Sequence, residues 1–163
     1  QSAALRADVC ERGSSLASIL NTYSQQLVSA RRSFNELMTE TVQDVNDIAQ
    51  ELADLNAQIV GVLAVGDQPN DLRDQRDLLL DKLSELVEIT ATEEENGTTT
   101  VFLRGQHLVM WAEAGELDTV SSAEDPTLLS VVFKDGSAPA QVGGGKAGGH
   151  HRGQRLAHRG CSR

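Results

Sequence analysis

Between Ser14 and Ala64 the chain carries no proline, and Gly61 is its only glycine. Apolar positions recur there as Leu16, Leu20, Tyr23, Leu27, Ala30, Phe34, Leu37, Thr41, Val45, Ile48, Leu52, Leu55, Ile59 and Val62, with Thr41 the one polar member. The steps alternate between four and three residues, the spacing of a coiled-coil seam sustained over about six heptads. Two consecutive steps of four, Leu37 to Thr41 to Val45, form a stutter that locally unwinds a supercoil. The pattern predicts one long helix over about 14–65, roughly 75 Å at 1.5 Å per residue. Gly13-Ser14-Ser15 offers hydroxyls to cap its start, and Gly66 suits a left-handed stop.

Asp67-Gln68-Pro69-Asn70 reads as a tight linker in which Asn70 can cap a second helix, over about 71–87, with Asp71 favourably placed in its first turn. That helix shows Leu72, Leu79, Leu83 and Leu86 on one face, flanked by Arg76. So short a connection implies an antiparallel pair of helices. After Val87 the period changes. Glu88–Thr92 alternates, Glu93–Gly97 reads as a turn, and Thr98–Arg104 is β-branched and aromatic. Gly105-Gln106 is a candidate two-residue turn before a return strand over His107–Ala112. Leu128–Phe133 then leads into Lys134-Asp135-Gly136-Ser137, whose Asp-Gly suits a type I′ hairpin. The expected fold class is α+β: a long antiparallel helical hairpin over 1–88, then a small antiparallel β module over 89–142.

Composition agrees with this division. Hydrophobic residues make up 39% but aromatics only 3%, so the core must be built from Leu, Ile, Val and Ala. The net charge of −10 is uneven. Residues 1–145 hold all 24 acidic residues and nine of the basic ones, a balance of −15. Residues 146–163 carry five basic residues, no acidic ones and three of the four histidines, a balance of +5. An acidic body disfavours nucleic acid as a partner. No run approaches ~18 apolar residues, so no membrane insertion is expected, and no Sec-type leader opens the chain. Cys10 and Cys161 form neither a disulfide framework nor a CxxC motif.

Candidate chemistry is sparse. Asp67, Asp71, Asp74, Asp77 and Asp81 invite a calcium reading, but a calcium loop needs oxygens converging from a tight turn. Their helical spacing, with Arg73 and Asp77 four apart, favours a solvated or salt-linked helix surface. Glu93, Glu94 and Glu95 are adjacent in a turn without a pocket or partner motif, which favours a solvated loop over paired catalytic carboxylates. His107 reads as a surface histidine. His150, His151, His158 and Cys161 superficially resemble zinc ligands, but their spacing matches no zinc pattern. Gly143-Gly144-Gly145-Lys146 lacks the spacing and the hydroxyl of a phosphate loop. No catalytic residue, metal ligand or cofactor site is expected.

Two stretches carry a resemblance. Val45-Asn46-Asp47-Ile48-Ala49-Gln50-Glu51-Leu52-Ala53-Asp54-Leu55-Asn56-Ala57-Gln58-Ile59 and, more specifically, the run from Asn70-Asp71-Leu72-Arg73-Asp74-Gln75-Arg76-Asp77 through Leu83-Ser84-Glu85-Leu86-Val87 resemble the bacterial flagellar hook-associated protein 1 family. The likeness covers roughly 14–148. It implies a structural, non-catalytic role in a ring at the hook–filament junction, with self-association and contacts to the hook protein and a second junction protein. It also implies export by the flagellar type III pathway, an extracellular location, a helical domain along the tube axis and an outward β domain. Measured against that family the terminal helices are missing, and residues 143–163 form an atypical Gly/His/Arg-rich tail that suggests a frame shift or an artificial end. The rival readings are a coiled-coil adaptor or secreted effector, and a metal-dependent enzyme using the acidic loop and His-rich tail.

Overall fold

The computed structural model describes residues 2–136 and 139–140. The tail over 143–163, with its histidines, Cys161 and the Gly143–Lys146 run, lies outside them. Helix α1 spans Ser2–Ala64, 63 residues, so it begins a dozen positions before the expected start. Gly13-Ser14-Ser15 does not cap it. A helix interior tolerates one glycine at a cost of about 1 kcal/mol, and the apolar pattern continues upstream through Val9 and Leu5. The other end stops as the sequence indicates. Gly66 adopts φ +84°, its N–H bonds to the Leu63 carbonyl at 3.0 Å, and the Asp67 N–H bonds to the Val62 carbonyl at 3.2 Å. These two crossing bonds close the last turn as a Schellman motif.

Helix α2 spans Asn70–Leu86. Asn70 is its first helical residue rather than its cap: Pro69 holds the cap position without a side-chain bond, and the Arg73 N–H donates to the Pro69 carbonyl at 3.0 Å. The helix runs back along the last third of α1 and buries Arg76, Leu79 and Leu83.

Among the described residues, seven short strands follow in two antiparallel sheets. The first, in the order β1-β2-β3-β4, consists of Ile89–Glu93, Thr99–Leu103, Gln106–Met110 and Glu113–Ala114. The second, β5-β6-β7, consists of Leu117–Ser121, Leu129–Phe133 and Pro139–Ala140. Strands β4 and β5 fall in a stretch for which the sequence pattern predicts no strand. Leu103 pairs with Gln106, so the β2–β3 turn is Arg104-Gly105, one residue earlier than expected. Both have positive φ, +49° and +87°, as a type I′ turn demands. After β6 the expectation also shifts. Only Gly136 has positive φ, and its N–H bonds back to the Phe133 carbonyl at 3.0 Å. Asp135 is not at positive φ, so the turn lacks the pair of left-handed residues that type I′ requires.

Helices and sheets share one core. Val42, Val45, Ala49, Leu52, Ala53, Leu55, Leu79, Leu83 and Val87 pack in the same cluster as Val101, Leu103, Leu108, Val109, Leu117, Val131 and Phe133. Gly97, in the β1–β2 turn, lies against the end of α1. A β-carbon there would sit 2.6 Å from Leu63 Cδ1, and the residue has φ +84°. The backbone demands glycine, because φ is positive, whereas the Leu63 methyl ends a flexible side chain that can turn aside.

Candidate functional site

Two features of α1 set what the molecule can do, and they divide the helix at about residue 38. The C-terminal part buries two rows of side chains. One is the predicted seam, with Val45, Leu52, Leu55 and Ile59 all buried. The other lies a step around the cylinder and runs Asn35, Met38, Val42, Asn46, Ala49, Ala53, Asn56, again in steps of three and four. Its asparagines hold the β module.

Asn56 is 1% exposed. Its amide accepts the Thr99 N–H at 2.9 Å and donates to the carbonyls of Thr99 (2.9 Å) and Trp111 (2.7 Å). It thereby fixes the start of β2 and the β3–β4 turn, where Trp111 is held at φ +60°. Asn46 takes the Leu117 N–H at 2.8 Å and returns a bond to the same residue's carbonyl at 2.9 Å, fixing the start of β5. Asn35 accepts the Leu129 N–H at 3.1 Å and donates to the Thr127 carbonyl at 2.9 Å, fixing the start of β6. Each amide satisfies backbone groups that the short strands leave without a ladder partner. Arg31 extends the row by donating to Thr127 Oγ1 at 2.8 Å, with Asp125 Oδ2 at 3.4 Å. Asp125 also accepts the Thr127 N–H (3.0 Å) and hydroxyl (2.6 Å), and these bonds, with Arg31, hold its carboxyl below the usual carboxylate range.

Before Asn35 the helix reaches the module through the Arg31 guanidinium, and its side chains stand open to solvent. Every residue from Leu5 to Phe34 is exposed. Leu5, Val9, Leu16, Ile19, Leu20, Tyr23, Leu27, Phe34 and Leu37 are each about half or more open to solvent. At 100° per residue these nine fall within about a 100° arc, in line with the seam that α2 covers further along. Where α2 ends, an apolar cavity of about 140 Å³ opens between Phe34, Leu37, Met38, Val42, Val87, Leu117 and Val131. A bare stripe of this length, running into an apolar cavity, marks a protein-interaction face.

The residues singled out for chemistry that lie among the described ones are spread over the surface. Asp67, Asp71, Asp74, Asp77 and Asp81 are all exposed, and among the described residues no group of three or more His, Cys, Asp or Glu converges. The ion pairs at this surface belong to Arg76 rather than Arg73. Its guanidinium, 6% exposed, lies 3.2 Å from Asp77 and 3.5 Å from Glu93, and donates to the Gly97 carbonyl at 3.3 Å. Glu94 accepts the Thr100 hydroxyl at 3.3 Å, and Glu95 is exposed. His107 is exposed, with its ring centroid 4.6 Å from that of Phe102. No described helix is long and apolar enough to cross a membrane.

Residues 1–157 match the flagellar hook-associated protein FlgK helical domain. The chain is 39% identical over 92 residues to flagellar hook-associated protein 1 of Bacillus subtilis (strain 168), covering 56% of this chain and 18% of that protein. It is 30% identical over 138 residues to the protein of the same name in Escherichia coli (strain K12), covering 83% and 25%. Among solved structures, the flagellar hook junction protein FlgK from Burkholderia pseudomallei superposes with a TM-score of 0.63 at 39% identity, over 71% of this chain and 21% of that one. The chain thus spans about a fifth to a quarter of the length of these relatives. With that match across nearly its whole length, and with the same fold, the chain belongs to the flagellar hook-associated protein FlgK family.

Proposed function

We propose that this chain is an axial structural element of the bacterial flagellum, acting at the hook–filament junction and required for assembly, with no catalytic step of its own. The observation that carries this reading is the apolar stripe from Leu5 to Leu37. Most helical stability in proteins comes from packing of the amphipathic face, so a stripe of this length is a surface for other helices to cover. In the division of labour we propose, residues 1–88 supply the axial helices and 89–142 form the module clasped to their side. The partners are then further copies of the same protein in a ring, and the neighbouring axial proteins, namely the hook protein and the second junction protein. The location is the extracellular flagellum, reached through the flagellar type III pathway. The adaptor reading shares the helices but gives no reason for a sheet module fixed at three points along the rod. The test is a chimaera in which residues 14–142 replace the matching stretch of the Escherichia coli relative, in a strain lacking that protein. Swimming should be restored, and should be lost when Leu20→Glu and Leu27→Glu are added. Undiminished swimming with both glutamates would refute the role assigned to the stripe.

A further inference from the structure

We infer that the open edge of β1, with the acidic side of α2 beside it, takes up an extended segment of another protein that carries lysine or arginine at alternate positions. β1 lies at the edge of its sheet and pairs with β2 alone. Which of its backbone groups face outward follows from the ladder. The Glu94 N–H bonds to the Thr98 carbonyl at 2.8 Å. The next pair, Glu93 and Thr99, is turned apart, because Thr99 gives both of its backbone groups to Asn56 on the other side. Antiparallel pairs alternate, so Thr90 and Thr92 bond to β2, whereas the N–H and C=O of Ile89, Ala91 and Glu93 face the open edge. The side chains of the same three residues line a groove of about 1000 Å³ against α2. A strand laid on that edge, about 4.8 Å from β1, turns every second side chain into the groove.

Length, charge and polar contacts suit such a segment. The α2 wall runs from Asn70 to Ser84, about 21 Å at 1.5 Å per residue, and the five residues of β1 span about 17 Å. Arg76 holds Asp77 and Glu93, while Asp74 and Asp81 have no ion-pair partner among the described residues. These two carboxylates stand two turns apart on one side of the helix, about 10.5 Å. Basic side chains two or four residues apart on an added strand, about 7 or 14 Å, bracket that separation. The same wall repels phosphates and carboxylates. At the base of the groove Thr99 is 4% exposed, and neither its Oγ1 nor the buried Arg73 Nε has a hydrogen-bond partner. Buried polar atoms are nearly always paired, and a bound segment supplies the oxygens that these two lack.

The site uses no residue of the Leu5–Leu37 stripe, so its failure would leave the assembly role untouched. The probe is a labelled peptide, acetyl-Thr-Lys-Thr-Lys-Thr-Lys-Thr-amide, titrated with the full chain at low salt and followed by fluorescence anisotropy. Binding should saturate, and the backbone amides of Ala91 and Glu93 should exchange hydrogen more slowly once it does. Asp74→Asn with Asp81→Asn should weaken it about tenfold. Ala91→Pro should abolish it, because proline removes an outward N–H that the ladder to β2 does not use. Two further peptides separate strand addition from charge attraction, one N-methylated on the backbone of its lysines and one on that of its threonines. One should bind and the other fail, since only alternate residues of an added strand face β1. Absence of saturable binding, equal binding of the two methylated peptides, or equal binding of a peptide with glutamate in place of lysine would overturn the proposal. So would an edge already protected from exchange in the chain alone and closed to the peptide, because a second copy or the chain's own basic end would then occupy it.

Discussion

Asparagine is a poor helix former because its side chain competes for backbone hydrogen bonds, yet Asn56 lies well inside a 63-residue helix and is fully buried. The competition is turned outward: its amide bonds the backbone of Thr99 and Trp111 and not its own turn. Replacing it by alanine strands one N–H and two carbonyls in a dry place. Each orphaned group costs about 1–3 kcal/mol, partly relieved by water. Asn56→Ala should therefore lower the unfolding free energy by about 3 kcal/mol, read from urea midpoints at constant slope. Asn35→Ala, at the more open end of the row, should cost about 1 kcal/mol. Equal costs at both positions would show that the amides are not what holds the strands.

At the scale of elements, the helices were legible because large apolar side chains at regular spacing announce them, and Gly66 announces where the first one stops. The second buried row was not legible, because Ala49, Ala53 and three asparagines read as ordinary surface until a sheet lies on them. Nor were β4 and β5, whose two and five residues carry little apolar signal, or the exposure of half the seam, which periodicity alone does not reveal. The exposure of the aspartates along α2 was readable from helical spacing, whereas the buried Arg76 bridging Asp77 and Glu93 was not. The outermost clasp, at the loop before β6, adds a pH response. Asp125 is ionised more readily in the folded protein because Thr127 and then Arg31 favour its charged form. A carboxyl lowered on folding contributes stability above its ordinary value and loses it as pH falls through the lowered one. The stability difference between the native chain and Asp125→Asn should stay constant from pH 5 to 8 and shrink below about pH 4. A difference independent of pH would mean that the carboxylate is not engaged.

The whole molecule joins a rod to a module through one core, and this decides which pieces can stand alone. Helix α2 covers only the last third of α1, while Val42, Ala49 and Ala53 lie on the side whose asparagines bond the sheets. The sheets add Val101, Leu103, Leu108, Val109, Leu117, Val131 and Phe133 to the shared cluster. At about 1.5–3 kcal/mol for each fully buried side chain, their contribution exceeds about 10 kcal/mol, comparable with the entire net stability of a domain this size. The shared cluster thus takes residues from both sides of position 88, where the sequence pattern places the boundary. A fragment of residues 1–88 should retain partial helicity but melt without a cooperative transition and bind a hydrophobic dye. Residues 1–142 should melt cooperatively within a few degrees of the full chain, both followed by circular dichroism at 222 nm. A sharp transition in the 1–88 fragment at the full chain's temperature would show that the hairpin carries its own core, and that the sheets are fastened on by the asparagine row alone.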